Sequence, residues 1–425
     1  MNDLDSQKIA GNLSLAGMEP VVDPSLADVI LLNTCSVREK AVQKVYARLG
    51  EIRKLQRRDL VIGVVGCMAQ LEGEKILKRA PFVRVLAGPR KGHVMGDLIE
   101  RSLRTGVPAV EMRRDDDPEP PEINHCMRSS PWRASVTISE GCNRQCAFCV
   151  VPMTRGRERM RGSAAILREI EDLAGRGYLE IVLLGQTVNS YHDHAGNLSF
   201  AALLRRISEI EGVMRIRFTS PHPGDFTDEL LEVMESRPPV CNHIHLPVQS
   251  GSNRVLRAMR RGYTRERYLE IVEKIRRSAR AIAISTDLIV GYPGESEADF
   301  GDTLSLIDEV QYDSAFSFKY SPRPNTAAQS LPDEVPEEEK RKRLEILQER
   351  QKLIQYEKNS AWAGHIVEVL VDANARSRVR LTGRTSDNRI VNFDGPNILI
   401  GRMVPVEITG FSPNSLKGIW IGANG

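Results

Sequence analysis

Three cysteines within one nine-residue stretch constrain this chain more than any other feature: Gly141-Cys142-Asn143-Arg144-Gln145-Cys146-Ala147-Phe148-Cys149 has the spacing CxxxCxxC. With 7 cysteines in 425 residues, that spacing arises by chance in about two chains per thousand. A structural zinc site wants four tetrahedral protein ligands, and no fourth Cys or His lies nearby. Three thiolates on one loop can instead hold three irons of a [4Fe-4S] cube and leave the fourth open. Cys35, Cys67, Cys126 and Cys241 bring the total to seven, an odd number at irregular spacing. In a large chain with no start resembling a signal peptide, this argues against a disulfide framework and for metal or redox chemistry in a reducing compartment.

The residues around these cysteines predict several domains. To about Met112, buried-strand runs alternate with helical patterns: Asp28 to Leu32 runs into Asn33-Thr34-Cys35, a helix-like stretch follows from Val37 to Leu49, and Leu60 to Val65 runs into Gly66-Cys67. Both strands deliver a cysteine at the carboxyl end, where open parallel α/β sheets place their ligands. Residues 113–133 are rich in Asp, Glu and Pro and are expected to be a linker. Strand-like runs then recur at Ser135–Ser139, Ile181–Leu184, Arg215–Thr219, His243–Leu246, Ala283–Val290 and Ala315–Tyr320 with helical patterns between them. Six βα units predict an incomplete (β/α) barrel over 134–360 with its site at the strand C-termini. From Ala361 onward, short alternating runs at Val367–Val371, Arg389–Phe393 and Val404–Ile408, punctuated by Gly and Asn, predict a small all-β barrel over 361–425. The expected fold is thus α/β: an N-terminal open parallel domain (1–112), a partial (β/α)6 barrel and a β-barrel tail. No apolar run approaches the roughly 20 residues that span a bilayer, so a cytoplasmic protein with no membrane partner is expected.

An open iron at the mouth of a partial barrel suits chelation by the methionine part of S-adenosylmethionine (SAM). The cysteine spacing, with Phe148 before the third cysteine, resembles the radical SAM superfamily. Nearly the whole chain resembles its methylthiotransferases, and among them those acting on dimethylallyladenosine in tRNA. The matching stretches are Asn33-Thr34-Cys35-Ser36-Val37-Arg38-Glu39, Gly66-Cys67-Met68-Ala69-Gln70, Arg155-Gly156-Arg157-Glu158-Arg159, Leu184 to Tyr191 (LGQTVNSY), Leu246 to Ser252 (LPVQSGS) and Gly291-Tyr292-Pro293-Gly294-Glu295. The tail also resembles the TRAM domain, an OB-like RNA-binding module.

The resemblance implies two [4Fe-4S] clusters and SAM. Cys142, Cys146 and Cys149 would bind the cluster that cleaves SAM to the 5'-deoxyadenosyl radical, which takes the hydrogen from carbon 2 of the adenine. Cys35 and Cys67 would help hold a second cluster concerned with the sulfur, and a second SAM would methylate that sulfur. Gly185, Gln186, Ser220, Gln249 and Gly291, at strand ends, would contact SAM. The implied partners are a tRNA, modified next to its anticodon at position 37, and a reductant protein of the flavodoxin or ferredoxin-like kind. The sulfur donor stays open, a monomer is expected, and no Asp, Glu or His is assigned as acid or base. One departure matters: the family has a third second-cluster cysteine in a stretch following an opening strand, which would lie two residues before Met1. The expectation is that the true protein begins earlier, or that Cys126 or Cys241 takes the place of that ligand.

The charge balance leaves only +3, with 59 Lys and Arg against 56 Asp and Glu, so affinity for a polyanion must come from local clusters. Arg155, Arg157, Arg159 and Arg161, the Arg-dense 254–280 region, and Arg376, Arg378, Arg380, Arg384 and Arg389 of the tail are the candidates for tracking a phosphate backbone. An unstacked base in an RNA loop is a sensible target. Two related readings are a methylthiotransferase for threonylcarbamoyladenosine in tRNA and one for a ribosomal-protein aspartate. A different class, a non-catalytic zinc-stabilised RNA-binding protein, would explain the Arg-rich tail but not six βα units with three cysteines on the first loop.

Overall fold

The run Val61–Gly66 is apolar at every position because both its faces are covered. In the computed structural model, which describes residues 1–34, 39–55, 57, 59–113, 126–332, 335–374 and 380–422, the first elements are α1 (Asn2–Leu15), β1 (Val29–Thr34), α2 (Glu39–Arg53), β2 (Val61–Gly66), α3 (Cys67–Glu72), α4 (Glu74–Arg79), β3 (Val83–Ala87), α5 (Met95–Thr105) and β4 (Ala109–Glu111). The strands form a parallel sheet in the order β1-β2-β3-β4. Ile62 and Val64 of β2 pack against Val45, Leu49 and Ile52 of α2 and Ile76 of α4. Val61 and Val65 turn to the other face, against Met95, Leu98 and Ile99 of α5. The spacing of the last three, i, i+3 and i+4, is the apolar stripe a helix needs to cover a sheet, and Gly106 ends it in a left-handed C-cap.

The chain divides into two compact units, one of residues 1–130, 137–161 and 321–329, the other of 131–136, 162–320 and 330–425. The first unit holds the sheet above and, after β5 (Arg133–Thr137), the short pair β6 (Ser139–Glu140) and β7 (Arg159–Met160) with α6 (Val151–Thr154) between them.

The second unit contains α7 (Ser163–Gly175), β8 (Glu180–Leu184), the small hairpin β9 (His192–Asp193) and β10 (Leu198–Ser199), α8 (Phe200–Ile207), β11 (Arg215–Phe218), α9 (Asp228–Ser236), β12 (His243–His245), α10 (Asn253–Ala258), α11 (Arg265–Arg276), β13 (Ala283–Val290), α12 (Glu297–Val310) and β14 (Ser314–Lys319). The strands order as β11-β8-β5 and β12-β13-β14. A parallel bridge from Ile216 to Val240, just before β12, links the two sheets, giving the open six-stranded barrel that the repeated βα pattern predicts. Helix α13 (Glu337–Ser360) leads to a closed barrel of β15 (Ile366–Asn374), β16 (Leu381–Arg384), β17 (Ile390–Asp394), β18 (Met403–Phe411) and β19 (Leu416–Trp420). Its core is Val367, Val369, Val371, Val391, Phe393 and Val406 with their neighbours.

Two β11 arginines fasten the closed barrel to the open one. Arg215 donates to the carbonyls of Arg384 at 2.6 Å and Glu368 at 3.0 Å. Arg217 donates to the carbonyls of Thr385 at 2.7 Å and Ser386 at 3.1 Å, and to Glu180 at 2.8 Å. Glu180 is buried, so this pair is a paired internal charge whose desolvation its partners offset. Among the described residues no helix is long and apolar enough to cross a membrane.

Candidate iron–sulfur and nucleoside site

In the first unit, the loop carrying Cys142, Cys146 and Cys149 leaves β6 and returns through α6 to β7, its stem closed by the pairs Ser139 with Met160 and Glu140 with Arg159. Gly141 has φ +76°, and a Cβ there would lie 2.1 Å from the Arg157 carbonyl oxygen, so no other residue fits. The Cys142 amide donates to the Gly156 carbonyl at 3.2 Å, and the Glu158 amide to the Asn143 side chain at 3.1 Å. The Gly-Cys and Arg-Gly-Arg-Glu stretches thus match each other physically, across the loop.

All three cysteines are half-buried. The Arg144 amide donates to Cys142 Sγ at 3.4 Å and the Val151 amide to Cys149 Sγ at 3.5 Å. Among the described residues no three His, Cys, Asp or Glu side chains form a ready-made metal-holding group. The cysteines share one anchored loop, and the donor set suits three irons of a cube.

Cys67 opens α3 immediately after β2 and is buried. The preceding Gly66 has φ +93°, and a Cβ there would meet Asn33 Oδ1 at 2.5 Å and the Thr34 carbonyl oxygen at 2.9 Å. The ends of β1 and β2 are therefore pressed together. Cys35 lies outside the described residues. A small cavity at these strand ends is lined by Asp5, Lys8, Asn33, Gly66, Arg90 and Glu140.

Cys126 Sγ meets Gln7 Oε1 at 3.6 Å. Cys241 is a core residue of the second unit, where burial pushes its thiol pKa up despite Arg217 and Arg215 nearby. Arg155, one of the arginines expected to face RNA, is instead buried and paired with Asp5. Burial works against its charge, but Asp5, Cys67 and Glu140 outweigh it and raise its pKa. Arg161 likewise is turned inward, donating to the Thr137 carbonyl at 2.8 Å.

In the second unit, Gly185 and Gln186 follow β8, Ser220 follows β11, Gln249 follows β12 and Gly291 follows β13. Ser220 (φ +60°), Gln249 (φ +76°) and Gly291 (φ +70°) all have left-handed backbone. For Ser and Gln that costs energy, and such strain concentrates at functional sites. Asn189 ties two of these loops together, donating to the His222 carbonyl at 2.9 Å and accepting from the His222 amide at 2.7 Å. Gln249 is stitched to β13 by its amide to the Asp287 carbonyl and its carbonyl to the Ile289 amide, both 2.9 Å. Gly291 is covered by Lys340 of α13, whose Cγ would lie 2.3 Å from a Cβ at 291.

Several arginines of the 254–280 stretch are engaged by partners in the same unit, some of them at the surface. Arg254 pairs with Asp299, Arg265 with Glu309 and Arg277 with Glu273, and Arg280 reaches the carbonyls of Met234 and Val240. Arg389 of the tail is half-buried against Asp313 and Asp387 and stacks on Trp362. Arg376 and Arg378 lie outside the described residues.

Composition and spacing did not reveal a polar row on the inner face of the open barrel. His243 Nε2 and His245 Nδ1 each lie 2.9 Å from Ser285 Oγ, and His245 Nε2 lies 3.4 Å from Asp287 Oδ2. Burial first, and then the charge of Arg217, push the His243 imidazole down to about 3 from its ordinary 6.5. The unfolded chain therefore takes a proton below pH 6.5 that the folded protein refuses until about pH 3, and stability falls as pH drops through that window. By pH 5 the loss from this one group is about 2 kcal/mol. His243→Asn is expected to remove that part of the slope in unfolding free energy between pH 6.5 and 5. An unchanged slope would mean that His243 protonates in the folded state.

A parallel barrel introduced by a CxxxCxxC loop and followed by a small closed β-barrel defines a radical SAM enzyme with a TRAM module. Family models agree: the radical SAM superfamily matches residues 136–307, the TRAM domain 363–421, and the uncharacterized protein family UPF0004 residues 1–88. The radical S-adenosylmethionine methyltransferase TsrM from Kitasatospora setae, solved with cobalamin and a [4Fe-4S] cluster, shares the fold at a TM-score of 0.54, with 16% identity over 76% of this chain and 73% of that one. The tRNA-2-methylthio-N(6)-dimethylallyladenosine synthase of Solibacter usitatus is 45% identical over 98% of this chain and 95% of its own length. That of Koribacter versatilis is 45% identical over 99% and 96%, and that of Yersinia pseudotuberculosis 44% over 99% and 90%. The chain belongs to the family of tRNA-2-methylthio-N(6)-dimethylallyladenosine synthases.

Proposed function

We propose that this protein is a transferase that converts N(6)-dimethylallyladenosine at position 37 of tRNA, beside the anticodon, to its 2-methylthio derivative. The observation that carries this reading is the likeness, at 45% identity over nearly the full length, to synthases named for that product. Its cofactors are SAM and [4Fe-4S] clusters, two in number. When bound, they supply the one-electron chemistry and the methyl group.

This chain's own residues hold and orient those groups. Cys142, Cys146 and Cys149 hold one cluster on the loop whose conformation Gly141 permits, and amides of Arg144 and Val151 aimed at two of the sulfurs offset their negative charge. Cys67, with Cys35, holds the second, and Arg155 beside Cys67 supplies a buried compensating cation. Gly185, Gln186, Ser220, Gln249 and Gly291 receive SAM, with the left-handed turns at three of them bringing backbone polar groups to the ends of the strands. The domains run 1–112, 134–360 and 361–425 around a linker at 113–133. The tail barrel contacts the tRNA; a flavodoxin or ferredoxin-like protein delivers electrons to the monomer in the cytoplasm.

The test is incubation of the anaerobically reconstituted protein with SAM, a reductant and either of two tRNAs, one carrying dimethylallyladenosine and one threonylcarbamoyladenosine. Nucleoside mass spectrometry is expected to find the methylthio product from the first only. Product from the second alone would assign the protein to the other substrate.

A further inference from the structure

The inner-face row continues past the histidines onto β14. Asp287 pairs in register with Phe316, and the His245 and Phe316 rings meet edge to face at 5.9 Å. In adjacent parallel strands, residues in register point the same way. The opposite face of these strands is turned to helices: Tyr268 of α11 and Thr286 both donate to the Leu246 carbonyl, and Gln348 of α13 donates to Ser317. His245, Asp287 and Phe316 therefore face inward.

They also open progressively. The His245 side chain is 19% exposed, that of Asp287 31%, and Phe316 53%. A half-open phenyl ring in the middle of a barrel strand is unusual when its neighbours are polar. Here it lies beside a carboxylate whose Oδ2 faces His245 and which has further acceptor sites. The row thus offers an apolar plate next to a hydrogen-bond acceptor, backed by the Ser285 and His243 chain that fixes the His245 ring.

We propose that Phe316, Asp287 and His245 form the subsite for the N6-substituted edge of the substrate adenosine, with Phe316 covering the dimethylallyl group and Asp287 accepting the N6–H. This rests on the reading above that the substrate is dimethylallyladenosine, and adds the residues that select it. The same row works against the rival substrate: a threonylcarbamoyl group carries its own carboxylate, which Asp287 repels and Phe316 cannot solvate. Selectivity built from one attractive and one repulsive element is a common arrangement.

The experiment compares three anticodon stem-loops that differ only at N6, bearing dimethylallyl, hydrogen or threonylcarbamoyl, in binding to the reconstituted full chain by fluorescence anisotropy. The wild type is expected to prefer dimethylallyl over the unmodified loop by about tenfold, the usual reach of an apolar pocket. Phe316→Ala should bring that ratio close to one, and Phe316→Leu should retain part of it. Asp287→Asn, which keeps an acceptor oxygen, should hold the dimethylallyl loop and tighten the threonylcarbamoyl loop by about tenfold. A preference that survives Phe316→Ala, or a wild type that binds all three alike, overturns the subsite. Mass spectrometry of the same loops after turnover keeps the two ideas apart. A methylthio product with an unaltered ratio in Phe316→Ala defeats the subsite alone, whereas no product from any loop defeats the functional reading.

Discussion

Replacing Cys142, Cys146 or Cys149 singly by Ala is expected to remove about four irons per chain and to lower methylthio product formation by well over a hundredfold. Removing an outer partner of a metal ligand already costs 10–100-fold, and each of these substitutions removes a ligand itself. The loop should keep most of its shape, because the Gly141 turn, the Gly156 carbonyl and Asn143 hold it alongside the two amide–sulfur contacts. Circular dichroism and melting temperature should therefore stay near those of the wild type while iron and acid-labile sulfide fall. Full iron retention in Cys146→Ala would show that this loop does not hold the cluster.

The second large effect concerns stability. Arg217→Met leaves Glu180 buried without its 2.8 Å partner and takes two donors from the carbonyls of Thr385 and Ser386. Breaking one side of a buried ion pair costs about 3–5 kcal/mol, which in a unit of this size is a fall in melting temperature of roughly 5–10 °C. Adding Glu180→Leu should recover much of the loss, since an apolar pair of similar volume is often as stable as the ion pair it replaces. A double variant as unstable as the sum of its parts would mean that the carbonyl contacts, not the buried charge, dominate.

Local patterns made some of this legible in advance. The continuous run in β2 is readable because a strand covered on both faces must be apolar throughout, and the cysteine loop because three thiols so close together have few other uses. The alternating runs in β15, β17 and β18 mark a small barrel for the same kind of reason. Helix α1 has no comparable signal: its apolar residues are scattered, and only Leu4 and Gly11 are buried.

The arginines were harder to read, because their partners are distant in sequence. Arg155 meets Asp5 across 150 residues and Arg389 meets Asp313 across 76. Nothing local separates such a residue from one that faces a phosphate. The inner-face row is hidden in the same way: His245, Asp287 and Phe316 stand on three strands, and only the register brings them side by side. The left-handed backbone at Ser220 and Gln249 is likewise invisible in the sequence, since neither residue type advertises it.

Conversion of dimethylallyladenosine to its 2-methylthio derivative can be read in a bacterial strain that lacks its own methylthiotransferase but still makes dimethylallyladenosine, complemented with the gene for this protein. Nucleoside mass spectrometry of the total tRNA is predicted to show the 2-methylthio derivative restored by the wild type and absent with the Cys142, Cys146 and Cys149 variants. Dimethylallyladenosine left unconverted in the presence of soluble, iron-loaded wild-type protein would mean that this chain does not carry out the modification.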